Sequence, residues 1–545
     1  MQDLETRNAG TVIVGGGLCG TLAAYELAKD GIPVLLLRDG RGASPQVAGF
    51  NVPGSEAGDS TESYYRDTME SARGQADPVL ARILCEGSAS LPAYLETLGF
   101  SFDTGEDGVR RARKSLGSSF ARVVGRGNTS GAELLSLLDR KLRETGAVTV
   151  AESTRALRLF TKDGRITGVL AYDRNRERFA VIRASRVLLA CGGYAGIFPF
   201  TSNTRDISGD GLAMALLAGA HGTDLEFVQF EPSAAVWPEA IRGKGMITTL
   251  FYEGAILTNN AGERFMLRYS GDAERVNKDR LAKAIATELR EGRGSEHGGV
   301  WFDARGVNAD RMREAYAPFL KRYRDVGIDL LTEPVELANA AHTALGGVKV
   351  DSNCETNIKG LFAAGEALGN LHGANRIGGS AGTEMLVFAR YVAAKIKGSP
   401  LTEPDDSGLP DSVGKLFPVT DGTPLSASRE TEIRSGMRAL LGKHLGVGRE
   451  AAGLAATEEA LASFLQEVRE AAGDGCASLA RKLRLENDLI AALAWTKSAA
   501  LRRDSVGCHW RLDFDRSPQE LYRTDVCLRN GSVQATKQPI SKEQR

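Results

Sequence analysis

Cysteine is sparse and dispersed in this 545-residue chain. The seven cysteines (Cys19, Cys85, Cys191, Cys354, Cys476, Cys508, Cys527) nowhere form C-x-x-C. That spacing argues against an internal iron–sulfur or zinc site and against a disulfide framework. Reduced, structural thiols and a cytoplasmic location are expected, with no metal bound. An excess of charge of either sign is also missing. Lys+Arg of 68 against Asp+Glu of 69 leaves −1, which gives no field for nucleic acid or a membrane surface. No apolar run approaches the ~20 residues that span a bilayer, and the start MQDLETRNAG has neither a signal-peptide core nor a twin arginine. Histidine is scarce at six, with none before His221. The rest is ordinary globular composition, 42% hydrophobic and 25% charged. The length exceeds a single core, and ~100–200 residues per domain gives three or four units.

Glycine, in contrast, is abundant at 63, as expected where backbone must come close to a cofactor. The organising stretch is TVIVGGGLCG, followed by TLAAYELAKDGIPVLLLRDG. An apolar strand, a glycine turn, a helical pattern and a second apolar strand form a βαβ unit. Its glycines fall as G-x-G-x-x-G at Gly15, Gly17 and Gly20, with Leu18 and Cys19 inside the turn. They provide a tight turn, close approach to a pyrophosphate, and close packing of helix on strand. The helix start then offers unpaired N–H groups to the phosphates. At the end of the second strand, where an acidic residue would hold ribose hydroxyls, stands Arg38, with Asp39 next to it. Arginine there also suits a 2′-phosphate, so the motif alone leaves FAD and NADP open.

The fold class expected is α/β: a Rossmann-like FAD-binding domain with an inserted α+β capping domain and a C-terminal helical domain. Residues 1–224 form the first part of the nucleotide domain. They include a Gly/Pro/Ser-rich loop from Gly40 to Asp59 and helical patterns at Ser60–Arg73, Pro78–Leu98 and Gly131–Thr145. The runs TRALRLF and ITGVLAYD, joined by KDGR, read as a hairpin. RVLLACGG ends a buried strand on the glycine pair Gly192-Gly193, and GDGLAMALLAGA opens a helix at Asp210. Residues 225–340, richer in aromatics and charge, form the inserted unit, and 341–400 return to the first domain. A Pro/Asp/Ser/Gly-rich linker is expected at 401–424. Residues 425–545 form the last unit, helical from Ser428 to Arg502 by apolar spacing of three and four, with a loose tail after Ile540.

Several separated stretches now match one family. Besides the glycine corner they are DPVLARILCEGSASLPAYLETLGFSFD, RVLLACGG, SGDGLAMALLAGA, LEFVQFEPSA, EGAILTNNAGERFM, HTALGGVKVD, GLFAAGEALGNLHGANRIGG and RRDSVGCHWRLDF. The sequence resembles the flavoprotein subunits of succinate dehydrogenase and fumarate reductase, and L-aspartate oxidase, over nearly its whole length. The resemblance implies FAD rather than NADP, and hydride transfer between flavin N5 and a carbon of a small carboxylate-bearing acid. It places the cofactor on Gly15, Gly17 and Gly20, on Asp210 and Glu366, and on Ala381 and Gly382 at a helix start. In relatives with covalent FAD a histidine follows a serine in the loop after the second strand. Here the pair is Ser44-Pro45, so non-covalent FAD is expected.

On the substrate side the resemblance assigns His342 of HTALGG and Arg376 of HGANRIGG to a carboxylate, a role a guanidinium fork suits with two parallel donors. Two positions depart from the pattern. Relatives read QFHPT; this chain reads Gln229-Phe230-Glu231-Pro232-Ser233. Where relatives carry a proton-shuttling arginine in R-G-E-G-G, this chain carries Phe251. Both changes point away from fumarate, succinate and aspartate, and toward a substrate whose other end is neutral, aromatic or cationic. Tyr252, Glu231 and Arg242 are the proton donors nearest in sequence, and Glu231 and Tyr252 are kept as candidates. An alternative is an electron-transfer protein working with a separate iron–sulfur partner. Val506 and His509 lie in a stretch matching the family's S-R-G-x-H, with no catalytic role indicated for His509.

Overall fold

The computed structural model describes residues 4–246, 248–403, 423–514 and 520–540. Its central sheet has five parallel strands in the order Leu361–Ala363, Arg186–Leu189, Thr11–Val14, Val34–Arg38 and Val148–Glu152. A parallel sheet covered on both faces needs apolar side chains on both sides of each strand. Thr11–Val14 and Val34–Arg38 meet this, being buried at every position. Helices Leu18–Ala28, Ser130–Thr145 and Ser380–Gly398 pack together over one face. At Gly15 the backbone takes φ +121°, and a Cβ there would lie 2.2 Å from the Ala190 carbonyl oxygen. A Cβ on Gly20 would lie 2.0 Å from the carbonyl oxygen of Gly15. The corner therefore closes only without side chains at these two positions.

A second sheet carries the expected hairpin, Thr154–Lys162 with Arg165–Asp173. Its turn residues Asp163 and Gly164 both have positive φ, 49° and 72°, which matches the right-handed twist of the strands. Arg178–Arg183 and Glu5–Asn8 complete that sheet. The inserted unit is built on an antiparallel sheet in the order Val228–Ala235, Val335–Ala344, Val300–Asp303 and Ile256–Thr258, with helix Lys278–Arg290 packed on it.

The C-terminal stretch from Ser428 to Arg502 is three helices, Ala427–His444, Ala451–Glu470 and Gly475–Leu501. The short strand Gly448–Arg449 breaks the first junction by pairing with Trp510–Arg511. Pro78–Leu98 is likewise two helices, Pro78–Ala89 and Leu91–Leu98, the second restarting at Pro92, which lacks the N–H a continuous helix would need. A feature absent from the expectations is a hairpin, Tyr522–Arg529 with Ser532–Pro539, whose first strand pairs with Gly222–Thr223 of the nucleotide domain. Most of the expected linker (404–422) and the tail from 541 lie outside the described residues. Among those described, no helix is long and apolar enough to cross a membrane.

Gly20→Val is expected to cost about 3 kcal/mol or more in urea unfolding, since overpacking against backbone cannot relax by a rotamer change. Gly398→Ala, whose Cβ would meet nothing within 4 Å at a helix end, should stay within about 1 kcal/mol of the parent.

Candidate active site

A cavity of about 670 Å³ opens at the carboxyl ends of the parallel strands and runs beneath the cap, the usual ligand position in such sheets. One part is lined by Gly15, Gly17, Cys19, Asp39, Ser44, Gly192, Asp210, Glu366, Ala381 and Gly382. Two helices start here, Leu18–Ala28 and Ser380–Gly398, and their N-caps, Gly17 and Gly379, supply no side-chain cap. Backbone N–H groups and two positive helix ends suit a pyrophosphate and an electron-rich ring. Ser44 Oγ accepts from the Leu18 N–H at 2.9 Å. Gly20 does not line the cavity; it seats the helix on the strand.

Arg38 does not line the cavity either. Its guanidinium bonds Asp139 at 2.9 Å and Glu152 on the outermost strand. It serves the sheet edge and offers no grip for a 2′-phosphate. Asp39 does line the cavity, held by Arg155 at 2.6 Å and by Arg174. Burial would raise the Asp39 carboxyl, but the two arginines hold it below the usual range. Arg155 also reaches Asp210 at 2.8 Å, and Asn487 from the long C-terminal helix donates to Asp210 at 3.0 Å. Asp210 thus uses its carboxylate on these partners, and its side chain caps no helix. Glu366 accepts from the Ala344 N–H at 3.0 Å, and burial pushes its carboxyl up to about 7. An all-glycine corner, two helix starts with glycine N-caps and carboxylates lining one cavity fit FAD.

The same cavity continues to Glu231, Lys278, His342 and Arg376. The strand Val228–Ala235 sets this end. Its alternate residues do successive tasks, as side chains two apart share a face. Gln229 Nε2 donates to the carbonyl of Arg376 at 2.9 Å and to Asn375 Oδ1 at 3.0 Å, fixing the arginine loop. Glu231 accepts from Lys278 Nζ and from Ser233 Oγ at 2.8 Å. Opposite, Gln229 pairs with Thr343 and Phe230 with Ala341. His342 is the extra residue of that bulge, which re-aims its side chain. Ser202 Oγ lies 2.9 Å from His342 Nδ1, and Glu231 lies 3.9 Å from Nε2. The ring keeps a third of its surface, toward the cavity. Burial, against the opposing pull of Glu231 and helped by Lys278 and Arg376, pushes His342 down to about 3, so the ring is neutral. Arg376 is 3% exposed; one NH group donates to Ile377 O at 3.1 Å and its Nε has no partner. A buried guanidinium with an unspent donor beside a cavity is poised for an anion.

Tyr252 and Phe251 do not line this cavity. Both pack in the cap core, Phe251 edge-on to Phe302 at 5.6 Å. Arg242 covers Phe200 and donates to the Val236 carbonyl. The group that does stand in the cavity is Lys278, the first residue of its helix, which no local pattern singles out. Arg155 was equally unforeseen, although an arginine opening the apolar strand TRALRLF is a signal for a buried ionic role. His509 is buried and structural, bonded to Arg449 and to the Arg502 carbonyl.

The raised Glu366 carboxyl sets a pH dependence. Its value in the fold, about 7, lies above its ordinary 4.5. The stability it permits is therefore complete below about 4.5 and lost as pH rises toward 7. In urea unfolding of the apoprotein, Glu366→Gln should match wild type at pH 4.5 and exceed it at pH 8; equal midpoints at both would refute this.

Residues 10–381 match the family described as FAD binding domain, and residues 434–544 the family described as fumarate reductase flavoprotein C-term. The chain is 33% identical over 544 residues to one of the subunits of the fumarate reductase (CoM/CoB) of Methanothermobacter marburgensis, covering 96% of this chain and 97% of that protein. It is 31% identical over 547 residues to L-aspartate oxidase of Streptomyces coelicolor, covering 96% and 91%. Its fold matches a FrdA variant of E. coli quinol fumarate reductase with a TM-score of 0.91 at 24% identity, covering 98% and 97%. Sequence, fold and a cavity built for FAD agree: the chain is an FAD-dependent oxidoreductase and belongs to the family that holds the fumarate reductase flavoproteins and the L-aspartate oxidases.

Proposed function

We propose that this enzyme oxidises or reduces a bond next to a carboxylate clamped by Arg376, with Lys278 moving the proton, and that fumarate, succinate and aspartate are not its substrates. The observation that carries this reading is the free Nε of buried Arg376 in the same cavity as the Lys278–Glu231 pair. Bound FAD supplies hydride exchange at its N5. Arg376 binds the carboxylate and stabilises negative charge that grows on it. Burial pulls the Lys278 ammonium below its ordinary range, with Glu231 opposing. A lowered ammonium is a stronger proton donor near neutral pH. Glu231, hydrogen-bonded to it, keeps it oriented.

The argument against four-carbon diacids differs from the one the sequence suggested. Burial would raise Glu231, but the Lys278 ammonium and the Ser233 hydroxyl hold its carboxyl below the usual range, so it is no bare added charge. The ammonium is instead spent on that carboxylate, and His342 is neutral. A second carboxylate placed against Lys278 meets an ammonium already bonded to a carboxylate. The residue after Ser44 is Pro45, which offers no nucleophilic nitrogen, so FAD is held without a covalent bond; acid precipitation should leave the colour in solution.

A second reading is that electrons arrive through a separate iron–sulfur protein. One of the similar proteins is named as one subunit of an enzyme. The seven cysteines of this chain are free, and among the described residues no group of three or more His, Cys, Asp or Glu could hold a metal. A brown protein co-purifying in fixed ratio would establish it, and full turnover by the isolated chain would dismiss it.

With any acid that reoxidises the reduced protein, Lys278→Met should lower kcat by about 10²–10⁴-fold with little change in KM. Arg376→Gln should raise KM and lower kcat together. Because removing Lys278 alone strands Glu231, the double variant Glu231→Gln/Lys278→Met separates catalysis from folding. Fumarate turnover faster than about 1 per second, the low end for ordinary enzymes, would overturn the substrate assignment.

A further inference from the structure

The cavity wall does not end at the four ionisable groups. Beyond them it is lined by Lys244, Gly245, Met246, Thr248, Phe319 and Arg322. The segment from Gly243 to Met246 runs back along the strand that carries Glu231. Met246 N–H donates to the Ser233 carbonyl at 2.7 Å, and Ala235 N–H donates to the Lys244 carbonyl at 2.9 Å. Lys244 therefore sits beside a residue four positions past Glu231. An extended strand rises roughly 3.3 Å per residue, so with the intervening bulge the separation is on the order of 10 Å. Arg322 comes from the cap helix Ala317–Arg324 and is fixed from two sides. Its NH1 donates to the Gly245 carbonyl at 3.0 Å, and its guanidinium lies over the Phe319 ring at 5.2 Å. Among the described residues neither Lys244 nor Arg322 is paired with a carboxylate.

We propose that Lys244 and Arg322 form a second anion subsite at the mouth of the cavity, and that the substrate is an extended acid with an anionic oxygen group at each end. This rests on the assignment of Arg376 as the inner carboxylate clamp. The inner carboxylate meets Arg376. An uncharged middle passes the ion pair of Glu231 and Lys278, and the outer group meets two cations with no competing anion. A four-carbon diacid is too short to reach both grips. The two observations thus join: a pocket that refuses a second nearby charge still carries positive charge farther out.

The test is calorimetric titration of the FAD-bound protein at low ionic strength with succinate, octanoate and suberate. Suberate is expected to bind at least 10-fold more tightly than octanoate or succinate, an advantage that shrinks as salt screens the two cations. The double variant Lys244→Ala/Arg322→Ala should bring suberate to the affinity of octanoate and leave octanoate unchanged, with an unaltered thermal midpoint as the check on folding. Equal binding of suberate and octanoate by wild type, or a double variant that keeps the preference, overturns the subsite. If the preference holds but 2-octenedioate fails to reoxidise the reduced protein, the subsite stands and the assigned reaction falls.

Discussion

Charge balance inside one cavity constrains everything around it. Lys278, Arg376 and the His342 ring converge there with most of their surface removed from water, and one carboxylate, Glu231, stands among them. An unpaired buried ion costs several kcal/mol, and removing one partner of a buried pair typically costs about 3–5. Glu231 opposes the burial that lowers Lys278, while burial outweighs it at His342 and leaves that ring neutral. Arg376 keeps an Nε with no partner. The framework around them is built for rigidity. Gln229 fixes the arginine loop, the bulge aims His342, and the Ser233 hydroxyl donates to Glu231.

The C-terminal unit takes part in this rather than standing apart. Asn487 donates to Asp210 in the wall of the cavity, and Glu486 pairs with Arg158 of the second sheet. Farther along, Arg502 is buried with Glu226, and Thr524 of the terminal hairpin donates from its hydroxyl to Glu226 at 2.6 Å and from its N–H to Asp224 at 3.0 Å. Burial and the nearby Glu226 push Asp224 up to about 6. These two acids precede the strand that carries Gln229 and Glu231. Ordering of the terminal hairpin and ordering of the substrate wall are thus linked through a few buried carboxylates.

Much of this is legible in the residues alone, and the reasons are local. The glycine corner announces itself because no side chain fits at Gly15 or Gly20. The turn at Asp163-Gly164 is a dipeptide suited to positive φ. The helix from Ser380 follows two glycines that free its first N–H groups. What escaped is what only tertiary folding assembles. Lys278 is 47 residues from Glu231, and neither residue's neighbours hint at the other. Phe251 occupies a position expected to matter for proton transfer, yet its ring points into the cap core. Arg38 ends the right strand but turns to Asp139 and Glu152, partners contributed by distant segments. The terminal hairpin carried a readable signal, Asn530-Gly531 with φ of 49° and 75°, masked by flanking strands rich in charge and amide rather than apolar residues.

The departure from the family pattern at Glu231 has to be read as half of a change. A histidine that binds anions can stand alone in a pocket, since it sheds its proton when the pocket is empty. A buried glutamate has the same escape only by taking up a proton, and here it stays ionised. Electroneutrality then demands a cation within contact distance, and the ammonium of Lys278 meets it. The pair leaves this end of the pocket close to neutral while removing the one freely adjustable charge. A second carboxylate loses its partner here although positive charge has not been lost from the cavity. Substrate preference in such a site follows from which cations remain uncommitted after internal pairing, and a count of basic residues along the sequence cannot give that.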